Sequence, residues 1–316
     1  MRIMYMGTPE ISATCLKALL DAGHNVVAVV SREDKPRGRG NTLTPTPTKA
    51  LAIERGIAVY TPSTLRDEAF AEILKETAPE LIVVVAYGKI LPRSVLEFPK
   101  YGCINLHVSL LPKYRGAAPM QRAVMNGETE TGVTVMYMDE GLDTGDIIST
   151  LTFPIGECDD FEYVHDTSAR LGGELLSRTV FDIEAGVAVR TPQDESLATY
   201  AAKIEKSDCL IDFNNPASVV SARIRGVTPI PGAFSYLNGK TVKIFKVRAV
   251  AGKGKCGEVI ALDPKGDGSI TVACAEGAIE ILGVIPEGKG RMTAGDFIRG
   301  RKIQIGDIFY GVDILS

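Results

Sequence analysis

The chain has 316 residues, with 35 lysines and arginines against 39 acidic residues, three histidines, six cysteines and no tryptophan. That length suits two domains, each with its own core, and no stretch reaches the roughly 18 apolar residues that a membrane helix needs. Cys15, Cys103, Cys158, Cys209, Cys256 and Cys274 form no C-x-x-C and read as reduced thiols, while His24, His107 and His165 give no i, i+4 pair for a histidine-based metal site.

Arg2–Met6 predicts a buried strand that follows the first residue directly, with no apolar leader, so a cytoplasmic protein is expected. A Gly7-Thr8-Pro9 turn leads into a helix over Ile11–Asp21, closed by Gly23, and Asn25–Val30 predicts the next strand. This is the βαβ opening of a doubly wound sheet, which presents ligands at the carboxyl ends of its strands. GTPE does not match G-x-G-x-x-G. GKGKCG (252–257) does, but no helix follows it, and GVIPEGKG has Gly290 where a phosphate loop needs Ser or Thr, so a nucleotide cofactor is not expected.

Ser31–Thr48 is basic and rich in proline and glycine, with Arg32, Lys35, Arg37 and Arg39, and predicts an open surface loop. Helices are expected near 47–55 and 66–77, around a short strand at 57–60. Leu81–Ala86 is a continuous β-branched run, expected as a central strand covered on both faces.

Gly102–Asp146 carries the chemistry. Cys103–Leu106 predicts a short strand, and alternation puts Asn105 and His107 on one face. SLLPKYRGAAP then fixes an irregular loop with uncommitted backbone groups, suited to a flat polar ligand. A second strand, Val133–Met138, ends in DEGLDTGD, bringing Asp139, Glu140, Asp143 and Asp146 near strand ends. Acyl transfer needs a donor for an oxyanion, which Asn105 supplies, and a group that moves protons near neutral pH, which His107 supplies. Ser109 lies outside any G-x-S-x-G elbow and Cys103 lies within an apolar strand, which favours direct transfer over a covalent intermediate. Spacing alone leaves function open, because an Asn and a His near a strand end also form satisfied polar clusters.

A helix is expected at 117–125 and a long one at 161–186. Arg190–Ser207 is polar, with Pro192 and no sustained period, and reads as a linker. Beyond it a short helix at 217–225 precedes five short strands, near 233–237, 240–250, 257–262, 269–273 and 278–284. Asn238-Gly239, Gly266-Asp267-Gly268 and Glu276-Gly277 mark their turns, and the pattern predicts a small OB-like antiparallel barrel. Met1–Lys206 holds 21 basic against 28 acidic residues, and Ser207–Ser316 holds 14 against 11. The mildly basic half suits a polyanionic partner, although such a surplus is also ordinary surface variation.

NLHVSLLPKYRGAAP followed by GVTVMYMDEGLDTGDI resembles the signature of the folate-dependent formyltransferases. MGTPEISATCLKALL, GRGNTLTPTP, VVAYGKILP, TYAAKIEKSDCLIDF and the appended carboxyl-terminal part extend the resemblance over essentially the whole chain, to those members that formylate methionyl-tRNA. It implies a catalytic trio of Asn105, His107 and Asp143. It further implies 10-formyltetrahydrofolate as formyl donor, held by Tyr87, Gly88, Ser109, Leu110, Leu111, Pro112 and Asp139, and tRNA contacts from Arg37 and Arg39. No metal is implied. The expected organisation is a catalytic domain at 1–189, a linker at 190–207 and a tRNA-binding domain at 208–316, acting as a monomer on initiator methionyl-tRNA. Val108 departs from the family pattern, as does the lack of tryptophan in VTPIPGAFSY; neither touches the trio. Formyltransferases acting on a small phosphorylated amine, on a sugar nucleotide or on water share the trio, and an RNA-binding protein on a decayed enzyme fold is the alternative from another class.

Overall fold

This computed structural model describes residues 1–37 and 42–311, with backbone alone at Arg37 and Thr42. It divides into two compact units. The first takes 1–116, 132–153 and 165–200, and the second takes 117–131, 154–164 and the chain from 201.

The chain opens with β1 (Arg2–Gly7), α1 (Glu10–Asp21), β2 (Asn25–Val30), β3 (Lys35–Arg37), β4 (Thr42–Thr44), α2 (Pro47–Glu54) and β5 (Ala58–Tyr60). There follow α3 (Glu68–Thr77), β6 (Leu81–Val85), α4 (Arg93–Leu96), β7 (Cys103–His107) and β8 (Arg115–Gly116). After these come α5 (Pro119–Met125), β9 (Glu130–Tyr137), β10 (Ile147–Pro154) and α6 (Phe161–Glu184). Seven strands form one sheet in the order β10-β9-β7-β6-β1-β2-β5. The five from β7 to β5 run parallel, and β9 runs antiparallel to β7.

Alternation along the central strands explains the layering. Ile3 and Tyr5 of β1 join Leu81, Val83 and Val85 of β6 in one core with Leu16 and Leu19 of α1 and Leu176 and Val180 of α6. Met4 and Met6 join Ile82 and Val84 in the opposite core, with Phe70 and Leu74 of α3 and Val95 of α4. Both faces are covered, so the strands read as continuous apolar runs. Each such side chain, withdrawn fully from water, stabilises the fold by about 1.5–3 kcal/mol. Asp67 caps α3 by accepting from Phe70 N at 3.0 Å. Tyr5 ties β1 to α1 by donating from its hydroxyl to Ser12 O at 2.6 Å.

The basic segment is more ordered at its base than an open loop. Lys35 pairs with Thr44 and Arg37 with Thr42 in a β3–β4 hairpin. The neck of the segment is tied by Ser31 Oγ to Thr46 Oγ1 at 2.6 Å and by Lys49 Nζ to Asp34 Oδ2 at 2.7 Å. Arg39 lies outside the described residues, as does the side chain of Arg37.

After β11 (Tyr200–Ala201) come α7 (Ala217–Gly226), β12 (Ala233–Leu237), β13 (Lys240–Val250), β14 (Val259–Asp263) and β15 (Ser269–Ala273). β16 (Ala278–Pro286), β17 (Met292–Thr293), α8 (Ala294–Arg299) and β18 (Phe309–Tyr310) complete the second unit. Its curled sheet runs β14-β15-β16-β13-β12-β18. The edges meet, because Val259 N donates to Asp307 O and Phe309 N to Gly257 O, both at 2.8 Å. The result is the small antiparallel barrel expected. Val242, Ile244, Ile270, Val272, Ile279 and Ile281 fill it, with Val220 and Ile224 of α7 against them.

No helix among the described residues is long and apolar enough to cross a membrane.

Candidate active site

β7 sets the site. Its parallel neighbour β6 places Val84 beside Asn105, and its antiparallel neighbour β9 places Thr134 beside His107. Ile104 and Leu106 fill the first core, so pleating turns Asn105 and His107 together to the other face. The Asn105 carboxamide forms no hydrogen bond with any described residue. His107 is 5 % exposed, and its two ring nitrogens are flanked by acceptors. Nε2 lies 2.9 Å from Tyr114 O, and Nδ1 lies 3.6 Å from Asp143 Oδ2. A carbonyl can only accept, so Nε2 carries hydrogen and Nδ1 is the nitrogen turned towards the carboxylate.

Asp143 reaches His107 from the turn after β9. Its Oδ2 also accepts from Gly116 N at 2.8 Å, and its backbone is left-handed, with φ 55°. Tyr114 has φ 62° and Ala86, at the end of β6, has φ 47°. Each such non-glycine position costs about 1–3 kcal/mol, and such strain gathers where surrounding structure over-determines a functional geometry. Gly145 lets the turn close: a Cβ there would meet Tyr137 O at 1.8 Å.

The SLLPKYRG loop is held from beneath by Thr134, which is fully buried. Its hydroxyl donates to Ser109 O at 2.7 Å and accepts from Leu111 N at 3.3 Å. Ser109 Oγ donates to Lys113 O at 2.6 Å, and Lys113 N to Leu110 O at 3.1 Å. The Ser109 hydroxyl is therefore spent on its own turn. Leu110 packs where a side chain at Gly132 would stand, with Leu110 Cδ2 2.4 Å from that absent Cβ. Leu111 is buried, Pro112 is half-buried, and Val108 packs on the first core. Burial pushes the Cys103 thiol up to about 12, so it stays protonated near neutral pH and offers no thiolate.

The remaining expected ligand residues fall in different settings. Tyr87 is 1 % exposed and belongs to the second core; its hydroxyl has no partner among the described residues, and burial pushes it up to about 12. Its carbonyl accepts from Thr8 Oγ1 at 3.1 Å. Gly88 has φ 81° and lies against Arg32. Asp139 is exposed, and its Oδ1 closes its own turn by accepting from Gly141 N at 2.9 Å and Thr144 Oγ1 at 2.7 Å.

Sequence reasoning passed over the groups behind the trio. Arg115 is completely buried, and Gln193 and Glu195 come from a stretch without period. The segment around them is strapped into the first unit. Thr191 pairs with Ile147, Arg115 N donates to Thr199 O at 2.8 Å, and Tyr114 N donates to Thr199 Oγ1 at 2.8 Å. YRGAAP shows an arginine amid small residues, but the P-Q-D-E run that neutralises it comes some eighty residues later, so no local signal joins the two. Among the described residues no three His, Cys, Asp or Glu side chains gather as a metal-ligand group.

The formyl transferase family pattern matches residues 1–180, and that of the formyl transferase carboxyl-terminal domain matches 203–302. A methionyl-tRNA formyltransferase of Citrifermentans bemidjiense is 45 % identical over 308 residues, covering 98 % of this chain and 96 % of that one. Another, of Geotalea uraniireducens, is 46 % identical, covering 98 % and 97 %. Among solved structures, an N-formyltransferase from Helicobacter canadensis, in complex with folinic acid and dTDP-3-aminofucose, shares the fold. Its TM-score is 0.67 at 20 % identity, over 88 % of this chain and 98 % of that one. A glycinamide ribonucleotide transformylase from Symbiobacterium toebii matches with TM-score 0.51 at 21 % identity, over 61 % and 94 %. With both patterns matched in order and such identity over nearly its whole length, the chain belongs to the formyl transferase family, among the methionyl-tRNA formyltransferases.

Proposed function

We propose that this chain transfers the formyl group of 10-formyltetrahydrofolate to the amino group of methionine carried on initiator tRNA, for translation initiation. One observation carries the mechanism: Asn105 shares a strand face with His107 and its carboxamide has no hydrogen-bond partner among the described residues, while His107 stands between Tyr114 O and Asp143.

The amine nitrogen attacks the formyl carbon, and the carbonyl electron pair moves onto oxygen. Asn105 donates to that oxyanion with His107 beside it. Collapse of the tetrahedral intermediate re-forms the carbonyl and expels the folate nitrogen, which takes up the proton given up by the amine. Asp143, 3.6 Å from Nδ1, steadies the imidazole electrostatically when the ring carries a proton on both nitrogens. Direct transfer is favoured because the Ser109 hydroxyl is committed to Lys113 O and the Cys103 thiol is held protonated.

Folate contacts are assigned to the backbone of Ser109, Leu110, Leu111 and Pro112 and of Tyr87 and Gly88, since the Tyr87 and Ser109 side chains turn inward, with Asp139 at the rim. The tRNA is assigned to Arg37 and Arg39 of the basic segment and to phosphate contacts by the barrel, which fix position without reading sequence. The protein is assigned to the cytoplasm, as a monomer.

The test is incubation with labelled formyl-folate and, in separate reactions, methionyl initiator tRNA, glycinamide ribonucleotide or an amino-sugar nucleotide. Label is expected on the tRNA. Label on either small amine instead would overturn the substrate assignment.

A further inference from the structure

We propose that Gln193 is a positioning residue for the reaction: it fixes Asp143, and through Asp143 the imidazole of His107, while Arg115 and Glu195 hold Gln193 in turn. The inference rests on the reading of Asp143 as the partner of His107 in formyl transfer.

The Gln193 carboxamide is spent on both sides. Its nitrogen donates to the carbonyl oxygens of Asp143 and Gly145, both at 2.8 Å. Its oxygen accepts from Arg115 Nε at 3.1 Å and Nη2 at 2.8 Å. A primary amide has two donors and two acceptor sites, so this group has nothing left for a substrate. Its work is on the turn. Asp143 sits in the left-handed region, which a non-glycine residue keeps only where neighbours impose it. The Gln193 donor captures the Asp143 carbonyl in that geometry.

Arg115 closes the device. Its side chain is 0 % exposed, and a buried guanidinium demands partners. Beyond Gln193 it donates to Glu195 Oε2 at 2.9 Å from Nη1 and to Oε1 at 2.7 Å from Nη2. The next residue, Gly116, donates its backbone N–H to Asp143 Oδ2. The Arg115–Gly116 pair thus grips Asp143 twice, at the carboxylate through a backbone amide and at the main chain through Gln193. Glutamate at 193 would set carboxylate oxygens against two carbonyls, and asparagine would fall one methylene short.

The experiment measures kcat and KM for methionyl-tRNA and for formyl-folate in Gln193→Ala and Gln193→Met, each alone and combined with Asp143→Asn, with thermal unfolding recorded for every variant. Met keeps the volume of Gln and removes both donors. The expected result is a kcat lower by about 10–100-fold with KM unchanged, the size of loss that small misplacement of a reacting constellation produces. In the Asp143→Asn background the Gln193 changes should cause no further loss, because their effect runs through that carboxylate. Equal losses in both backgrounds overturn the proposal, as does lowered stability with normal kcat or loss of folding in both single variants. Normal turnover in Asp143→Asn itself would instead sink the underlying reading of the trio.

Discussion

Tyr114 presents its carbonyl oxygen 2.9 Å from His107 Nε2, and does so from a left-handed backbone. That contact is within hydrogen-bond reach, whereas Asp143 Oδ2 stands 3.6 Å from Nδ1, so Nε2 keeps the hydrogen when the ring is neutral. Long-range proton–nitrogen correlation NMR should show neutral His107 as the Nε2–H tautomer. Only three histidines are present, and substituting His24 and His165 assigns the signals. A neutral Nδ1–H ring would mean that Tyr114 O does not set the imidazole.

Much of the architecture was legible because burial on both faces leaves a plain signature. The apolar run of Leu81–Val85 reads as a central strand, and Asn105 and His107 share a face simply because strands alternate. β10 was not legible: Ile147–Pro154 is mostly half-buried or exposed, so it carries neither an apolar run nor a clean alternation. The β3–β4 hairpin hid among prolines, glycines and arginines. Arg115 was missed for another reason, since an arginine in a loop reads as surface until Gln193 and Glu195, some eighty residues away, are seen to surround it. Long-range neutralisation of a buried charge leaves no local pattern.

Replacing Arg37 and Arg39 together by alanine should raise KM for methionyl-tRNA and leave KM for formyl-folate unchanged. Each lost phosphate contact should also reduce the slope of log binding constant against log salt by about 0.7–0.9. Titrations at several salt concentrations measure this directly. An unaltered slope would remove these arginines from the tRNA contacts.

Asp208 accepts from Arg122 Nη1 at 2.9 Å and Nη2 at 2.8 Å and from Glu205 N at 2.9 Å. The Arg122 hydrogen bonds hold its carboxyl below the ordinary value, against an opposing desolvation effect. A depressed carboxylate contributes stability that is complete above the unfolded value, about 3.9, and is lost as pH falls through the lower folded value. Asp208→Asn should therefore destabilise the protein by about 1.5–3 kcal/mol at pH 7. The gap to the unaltered chain should shrink as pH drops below about 4. Urea unfolding of both proteins across that range checks it, and a gap independent of pH would show that the carboxylate charge is not what Arg122 recognises.

The trio is tested most directly by the single-turnover rate of formyl transfer to methionyl-tRNA in Asn105→Ala, His107→Ala and Asp143→Asn, by rapid quench at saturating enzyme, with tRNA affinity and thermal unfolding measured alongside. Loss of one oxyanion donor should slow Asn105→Ala by about 10²–10³-fold. His107→Ala and Asp143→Asn should also fall by orders of magnitude, with tRNA affinity and folding nearly intact. Near-normal rates in all three variants would contradict the mechanism.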